Sequence, residues 1–257
     1  MVSPLERVIA EQAAALAQSG AEAVVLHGSF SRGQAHHLSD IDLTPLSADP
    51  KAGPPHLVEQ HDDRMFVISW RTPSAVQSSY RDPAQLGAAV PAWRSATALY
   101  DPRGVAADLI EEAKRWSWNT VSEAVDAYVA DGLVGLAEEV YKVVAGIAFE
   151  QHRLSAVNRS VLALRLAHLV ALRRGLLWET ENVLWDMVAD ELGEEWAIDQ
   201  DAALGLGDAP TSEQTRAALT LYTRAAREIA PLLNDRQRAV VRGAIAALDD
   251  ADESAAQ

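Results

Sequence analysis

The spacing of apolar residues changes at one place in the chain, the turn "DPRG" from Asp101 to Gly104. Before it, apolar runs of strand length alternate with turn residues: "AVVLHG", "IDLTPL", "HLVEQH", "RMFVISW" and "ATALYD". After it, apolar residues recur at helical spacing through "VAADLIEEAKRW", "VSEAVDAYVA", "GLVGLAEEVYKVVAGIAFEQ", "SAVNRSVLALRLAHLVALRR", "ENVLWDMVADEL", "SEQTRAALTLYTRAAREIA" and "NDRQRAVVRGAIAALDD". A strand pattern of period 2 and a helix pattern of period 3.6 bury different faces, so the sequence divides into an α/β half, 1–104, and a helical half, 105–257. Within the first half, "SADPKAGPP" from Ser47 to Pro55 is too rich in Pro and Gly to be helical. The pair Asp62-Asp63 is expected to turn "HLVEQH" back against "RMFVISW" as a hairpin.

The ends and the composition narrow the class. "MVSPLERVIAEQAAALAQSG" carries Glu6, Arg7 and Glu11 among its apolar residues and reads as an amphipathic helix, not a signal peptide. The tail "ADESAAQ" is expected to fray. The chain has no cysteine, hence no disulfide and no thiolate metal site, and nothing in it signals export; the expected compartment is the cytoplasm. No apolar run reaches the ~20 residues of a membrane span. A net charge of -15 disfavours sequence-independent nucleic-acid binding, which depends on Lys and Arg neutralising phosphates, and favours a cationic or neutral partner.

The chemistry concentrates in "VVLHGSFSRGQAHHLSDIDLTPLS", Val24 to Ser47. Gly28 and Gly33 have the spacing of the two P-loop glycines, but Gln34 and Ala35 stand where the P-loop needs Lys and Ser or Thr, so that reading fails. What remains is Gly28-Ser29 at the end of one strand and Asp40-Ile41-Asp42 at the start of the next. Residues i and i+2 of a strand share a face, so Asp40 and Asp42 project together while Ile41 points to the core. Paired carboxylates repel and call for a cation, and Mg2+ commonly takes one or two carboxylates plus substrate phosphates. Gly28-Ser29 offers backbone N–H groups and a hydroxyl to an anion, and Arg32, one turn on, is a candidate partner for phosphate. A magnesium triphosphate would lie between these two elements.

At these residues, "LHGSF" and "SDIDL", the sequence resembles the nucleotidyltransferase superfamily that includes DNA polymerase β and the antibiotic adenylyltransferases. The segment "VLALRLAHLVALRRGLLWETENVLW", Val161 to Trp185, is similar to the helical domain of the aminoglycoside 3''-adenylyltransferases, with Gly175, Glu181 and Trp185 at the matching positions. The resemblance implies an α+β fold: an N-terminal nucleotidyltransferase α/β domain with a mixed sheet, followed by a C-terminal helical bundle that binds the acceptor. It implies Asp40 and Asp42 as catalytic metal ligands for Mg2+, Gly28, Ser29 and Arg32 as the grip on ATP, and transfer of a nucleoside monophosphate to a small-molecule hydroxyl.

One departure stands out. The superfamily usually takes a third carboxylate from a neighbouring strand, yet the interior of "RMFVISW" holds no Asp or Glu. Glu59 on the preceding strand is the preferred substitute, ahead of Asp63 and Asp101; Glu179 or Glu181 from the helical half is the other source. Without such a group the chain would be a catalytically impaired nucleotide-binding or regulatory protein. Transfer of AMP to protein or RNA is a further alternative, which the acidic composition disfavours for RNA.

In "WETENVLWD", Trp178, Glu181 and Trp185 suit a cationic or polyhydroxylated acceptor: indole rings stack on sugars, and carboxylates pair with ammonium groups. The competing reading buries Trp185 in a helical core and leaves Glu181 solvated. His36 and His37 read as loop residues. Trp93 and Arg94 either line the nucleotide cleft or pack at a boundary, and Trp116 and Trp118 are expected in a core between the two halves.

Overall fold

The computed structural model describes residues 4–61 and 63–255, which divide into two compact units, Met1–Thr120 and Val121–Gln257. The first is built on a five-stranded mixed sheet: β1 (Ala23–His27), β2 (Ile41–Leu46), β3 (Leu57–His61), β4 (Arg64–Ile68) and β5 (Thr97–Tyr100), in spatial order β3-β4-β2-β1-β5. All five apolar runs of the first half form strands; β2 and β4 pair in parallel, and the other strand pairs among the described residues are antiparallel. β3 and β4 form the expected hairpin, with His61 opposite Arg64; Asp62 of its turn lies outside the described residues.

Helix α1 (Pro4–Gln18) covers one face of this sheet. Its apolar residues Ile9, Ala13 and Leu16 recur at helical spacing and are buried with Val24, Leu26, Ile41, Leu43, Phe66 and Ile68. Burying each large aliphatic side chain here contributes about 1.5–3 kcal/mol. The chain then makes the short turn α2 (Gly28–Ser31), and between β4 and β5 it forms α3 (Pro73–Ser79) and α4 (Leu86–Arg94). The spacing of the sequence did not single out these last two helices. Thr72 caps α3, its hydroxyl accepting from the Ala75 N–H at 3.1 Å, while α4 carries an internal proline, Pro91, that weakens its helical signature.

The boundary between the units falls at Thr120, not at Gly104. Helix α5 (Val105–Arg115) has the expected helical spacing, but its buried face, Ala106, Leu109, Ile110 and Ala113, packs on α4 and β1 and so belongs with the sheet. Periodicity reports that a helix has an apolar face and is silent about which core receives it. The Trp116 indole donates to the Tyr80 carbonyl at 2.7 Å, and Trp116 stacks edge-to-face on Trp118 at 5.0 Å; both lie within the first unit.

The second unit is helical: α6 (Ser122–Ala148), α7 (His152–Arg173), α8 (Leu184–Leu192), α9 (Glu194–Leu204), α10 (Thr211–Ile229) and α11 (Asp235–Ala255). The segments expected as two helices either side of Gly132 form one continuous α6. A side chain at Gly132 would press on Leu169 of α7, and one at Gly146 would come within 2.7 Å of the Ser155 backbone nitrogen, so these glycines set how closely α6 and α7 approach. Tyr222 of α10 is fully buried, its hydroxyl donating to the Leu133 carbonyl at 3.3 Å. Helix α11 runs on through Ala255 where fraying was expected from residue 251; residues 256 and 257 lie outside the described residues. No described helix is long and apolar enough to cross a membrane.

The glycines of α6 separate packing from propensity. Gly146→Ala meets backbone atoms and should destabilise the fold by about 1–2 kcal/mol, the overpacking cost less the helix preference of alanine. Gly135→Ala, which meets open space, should stabilise it by about 1 kcal/mol. Urea unfolding of the two variants checks the pair, and equal shifts would contradict the packing assignment.

Candidate active site

Antiparallel pairing of β1 with β2 sets His27 opposite Asp42, so the end of one strand and the start of the next share one end of the sheet. Ile41 and Leu43 turn inward to the α1 core, which directs Asp42 to the other face, and Asp40 precedes the strand at the same parity. At the end of β1, Gly28 adopts φ +69° and starts α2. The Ser31 hydroxyl donates to the Gly28 carbonyl at 2.9 Å, and the Gln34 N–H to the Ser29 carbonyl at 2.9 Å, closing the turn. A Cβ at position 28 would overlap Asp42 Oδ2, so the bare backbone of Gly28 and the Asp42 carboxylate lie in direct contact. Glycine is required there twice, for its left-handed backbone and for that approach.

The electrostatics join the other predicted residues to this contact. The Asp42 carboxyl is pushed up to about 6 by burial; the like charge of Asp40 pushes the same way, and the Arg32 guanidinium opposes both. Arg32 also donates through Nε to Gln34 Oε1 at 3.1 Å. The fold therefore brings together Gly28, Ser29, Arg32, Asp40 and Asp42. An acidic pair set against the half-buried turn Gly28–Ser31 fits a hard divalent cation with phosphate oxygens.

His27 was not singled out by the sequence. It is buried beside Asp42, its ring packs edge-to-face on Trp93 at 4.8 Å, and its Nδ1 donates to the Ala92 carbonyl at 3.3 Å. That bond leaves Nε2 as an acceptor, with no partner among the described residues, and burial holds the ring's pKa down at about 4. Asp42 thus faces a neutral imidazole, not a cation. The available signal was a histidine closing an apolar run directly before Gly28. Trp93 packs on this histidine. Arg94 donates to the Ala113 and Trp116 carbonyls at 2.9 and 3.1 Å, closing the end of α5.

Glu59 does not join the site. It pairs with Phe66 across the hairpin and so lies on the α1 face, where it accepts from Gln12 Nε2 at 3.3 Å and contacts His61 Nε2 at 3.0 Å. Apolar spacing marks this strand but not its parity, and a residue one place along faces the other way. Asp63 is exposed in the turn, and Asp101 lies at the opposite end of the sheet, its Oδ2 accepting from the Ala107 N–H at 2.9 Å. The residue beside Asp42 on β4 is Val67. His36 and His37 are loop residues whose carbonyls accept from Arg64, and no group of three or more metal-ligating side chains is present among the described residues.

Within the second unit, Trp178 and Trp185 flank the ring of His168, edge-to-face at 5.6 and 5.8 Å. The exposed Glu181 carboxylate lies 3.7 Å from His168 Nε2. Both indole N–H groups are buried and have no acceptor among the described residues. Trp178, Trp185 and Glu181 are therefore gathered round a histidine that the sequence did not single out; His168 sits one turn from the end of α7, where its spacing reads as part of the helix.

The raised Asp42 carboxyl fixes a pH dependence. The folded state binds this proton more tightly than the unfolded chain, whose value is near 3.8, so wild-type stability falls as pH rises from about 4 through about 6. Asp42→Asn lacks that loss. With no divalent cation present it should be more stable than wild type at pH 7.5, and its advantage should shrink by about 1 kcal/mol at pH 5, allowing for the part of the side chain still facing water. Thermal unfolding at the two pH values measures it, and an advantage that grows at pH 5 would reverse the sign.

No family model and no curated protein matches the sequence. Among solved structures the chain is similar to the crystal structure of a nucleotidyltransferase-like protein from Exiguobacterium sibiricum, with a TM-score of 0.53 and 13% identity, covering 86% of this chain and 73% of that one. At that identity the likeness is one of fold, that of a nucleotidyltransferase-like protein, and in this chain the fold comprises a mixed five-stranded sheet followed by a helical region.

Proposed function

We propose that the site at Gly28, Ser29, Arg32, Asp40 and Asp42 binds a nucleoside triphosphate with Mg2+, most simply ATP, and that the protein transfers its nucleoside monophosphate to a hydroxyl of a small molecule, releasing pyrophosphate. The observation that carries this reading is the contact of the Gly28 backbone with the Asp42 carboxylate, which sets an anion-receptive turn beside a cation-receptive pair. In it Asp40 and Asp42 hold the metal, Gly28 and Ser29 hold phosphate through backbone N–H groups and a hydroxyl, and Arg32 pairs with phosphate as a planar fork. The metal, when bound, would neutralise charge on the phosphates and align an in-line displacement. The chain's own contribution is to orient the triphosphate against that cation.

For the acceptor, the cluster of Trp178, Trp185, His168 and Glu181 supports a cationic or polyhydroxylated molecule, an aminoglycoside-type antibiotic being one candidate. Two buried indole donors suit hydroxyl or ether oxygens, and the exposed carboxylate suits an ammonium. A second reading, nucleotide binding without appreciable transfer, is favoured by one observation: the strand beside Asp42 presents Val67, not an acid.

Incubating the protein with Mg2+, labelled ATP and a panel of aminoglycosides should give adenylylated product. Asp40→Asn and Asp42→Asn should abolish it with folding retained, and an unchanged rate in either would rule the mechanism out. Ser29→Ala keeps the turn but removes a hydroxyl, and should weaken nucleotide use by about 1.5–3 kcal/mol. With a productive acceptor in hand, Glu181→Gln should raise the acceptor KM and leave ATP binding alone; a fall in kcat at constant KM would instead make Glu181 a proton acceptor.

A further inference from the structure

We infer that the Asp40–Asp42 site holds one divalent cation with its nucleotide, not two, and that Val67 sets this limit. The inference rests on the reading of that site as a metal–nucleotide site. In the parallel pairing of β2 with β4, Asp42 stands beside Val67, and Ile41 and Leu43 stand beside Phe66 and Ile68 in the α1 core. Side-by-side residues of a parallel pair share a face, so Val67 is the side chain that β4 offers next to the Asp42 carboxylate. The same face continues outward through Met65 on β4 and, across the hairpin, Val58 and Gln60 on β3. Val58 and Met65 are 51% and 42% exposed, an open apolar shelf next to the acidic pair.

The nearby acids cannot stand in for Val67. Glu59 is on the other face, engaged with Gln12 and His61. Asp63 precedes Val67 by four residues, about 13 Å along a strand. A single magnesium needs no more protein than one or two carboxylates, its remaining ligands being phosphate oxygens and water. A second cation at the ~4 Å spacing of two-metal sites needs further anionic oxygen, and methyl groups on that side exclude water without replacing it. Asp40 and Asp42 supply the protein ligands of one cation, and the shelf of Val67, Met65 and Val58 offers no oxygen for a second.

The test counts bound Mn2+ by electron paramagnetic resonance at saturating α,β-methylene ATP, against a protein-free control containing the same nucleotide. Wild type should retain one Mn2+ per chain, and Val67→Asp should retain two, with second-site affinity at least tenfold above wild type. Val67→Asn, similar in size but uncharged, should stay at one, and circular dichroism should show both variants folded. Should Val67→Asp fail to fold, the wild-type stoichiometry decides by itself. Two Mn2+ in the wild type, or one in a folded Val67→Asp, overturns this inference and leaves the nucleotide site standing. No Mn2+ in the wild type overturns the nucleotide site and the inference with it.

Discussion

The contact between the backbone of Gly28 and the carboxylate of Asp42 is the constraint on which the first unit is arranged. It exists because β1 and β2 pair antiparallel with His27 opposite Asp42, and that register is held by Val24, Leu26, Ile41 and Leu43 facing the α1 core. Shifting β2 by one residue would turn both acids into the α1 core, at a cost of several kcal/mol. The hydrophobic core therefore dictates where charge can stand. The raised proton affinity of Asp42 is the counterpart: part of the folding free energy is spent holding a carboxylate where an ion could bind it.

Much of this was legible because the decisive residues obey short-range rules. Strand parity places Asp40 and Asp42 together, and a glycine between an apolar run and a polar turn marks a backbone of positive φ. The apolar runs of the first half all became strands, and the helical spacing of the second half all became helices. What could not be read depended on pairings between strands distant in sequence. Glu59 and Val58 are neighbours in the chain, and only the alignment of β3 with β4 decides which one faces Asp42. The placement of α5 failed for the same kind of reason, since its apolar stripe fits either a sheet or a bundle. His27 and His168 escaped notice because a single histidine in an apolar run carries no pattern of its own.

The second unit depends on close helix approach. Gly132 and Gly146 remove side chains where α6 meets Leu169 and Ser155 of α7, and Tyr222 of α10 sends its hydroxyl to a carbonyl of α6. Against this rigid frame, the Trp178–Glu181–Trp185 segment follows α7 through the positive-φ turn at Gly175 and a short 3-10 turn at Glu181–Val183. Trp178 on the connection and Trp185 in the first turn of α8 both pack edge-to-face on His168 of α7.

The alternation of faces along β3 carries an evolutionary consequence. Two adjacent residues, Val58 and Glu59, offer opposite chemistry to opposite sides of the sheet, and Gln12 and His61 hold the acid on the side away from Asp42. A one-residue slip of this edge strand, of the kind a single-codon insertion or deletion near the hairpin produces, would exchange the two without altering any amino acid of the site. Descendants of this chain could thus gain or lose a carboxylate facing the acidic pair through a change in length, a route that comparison of aligned residues at the site would not reveal.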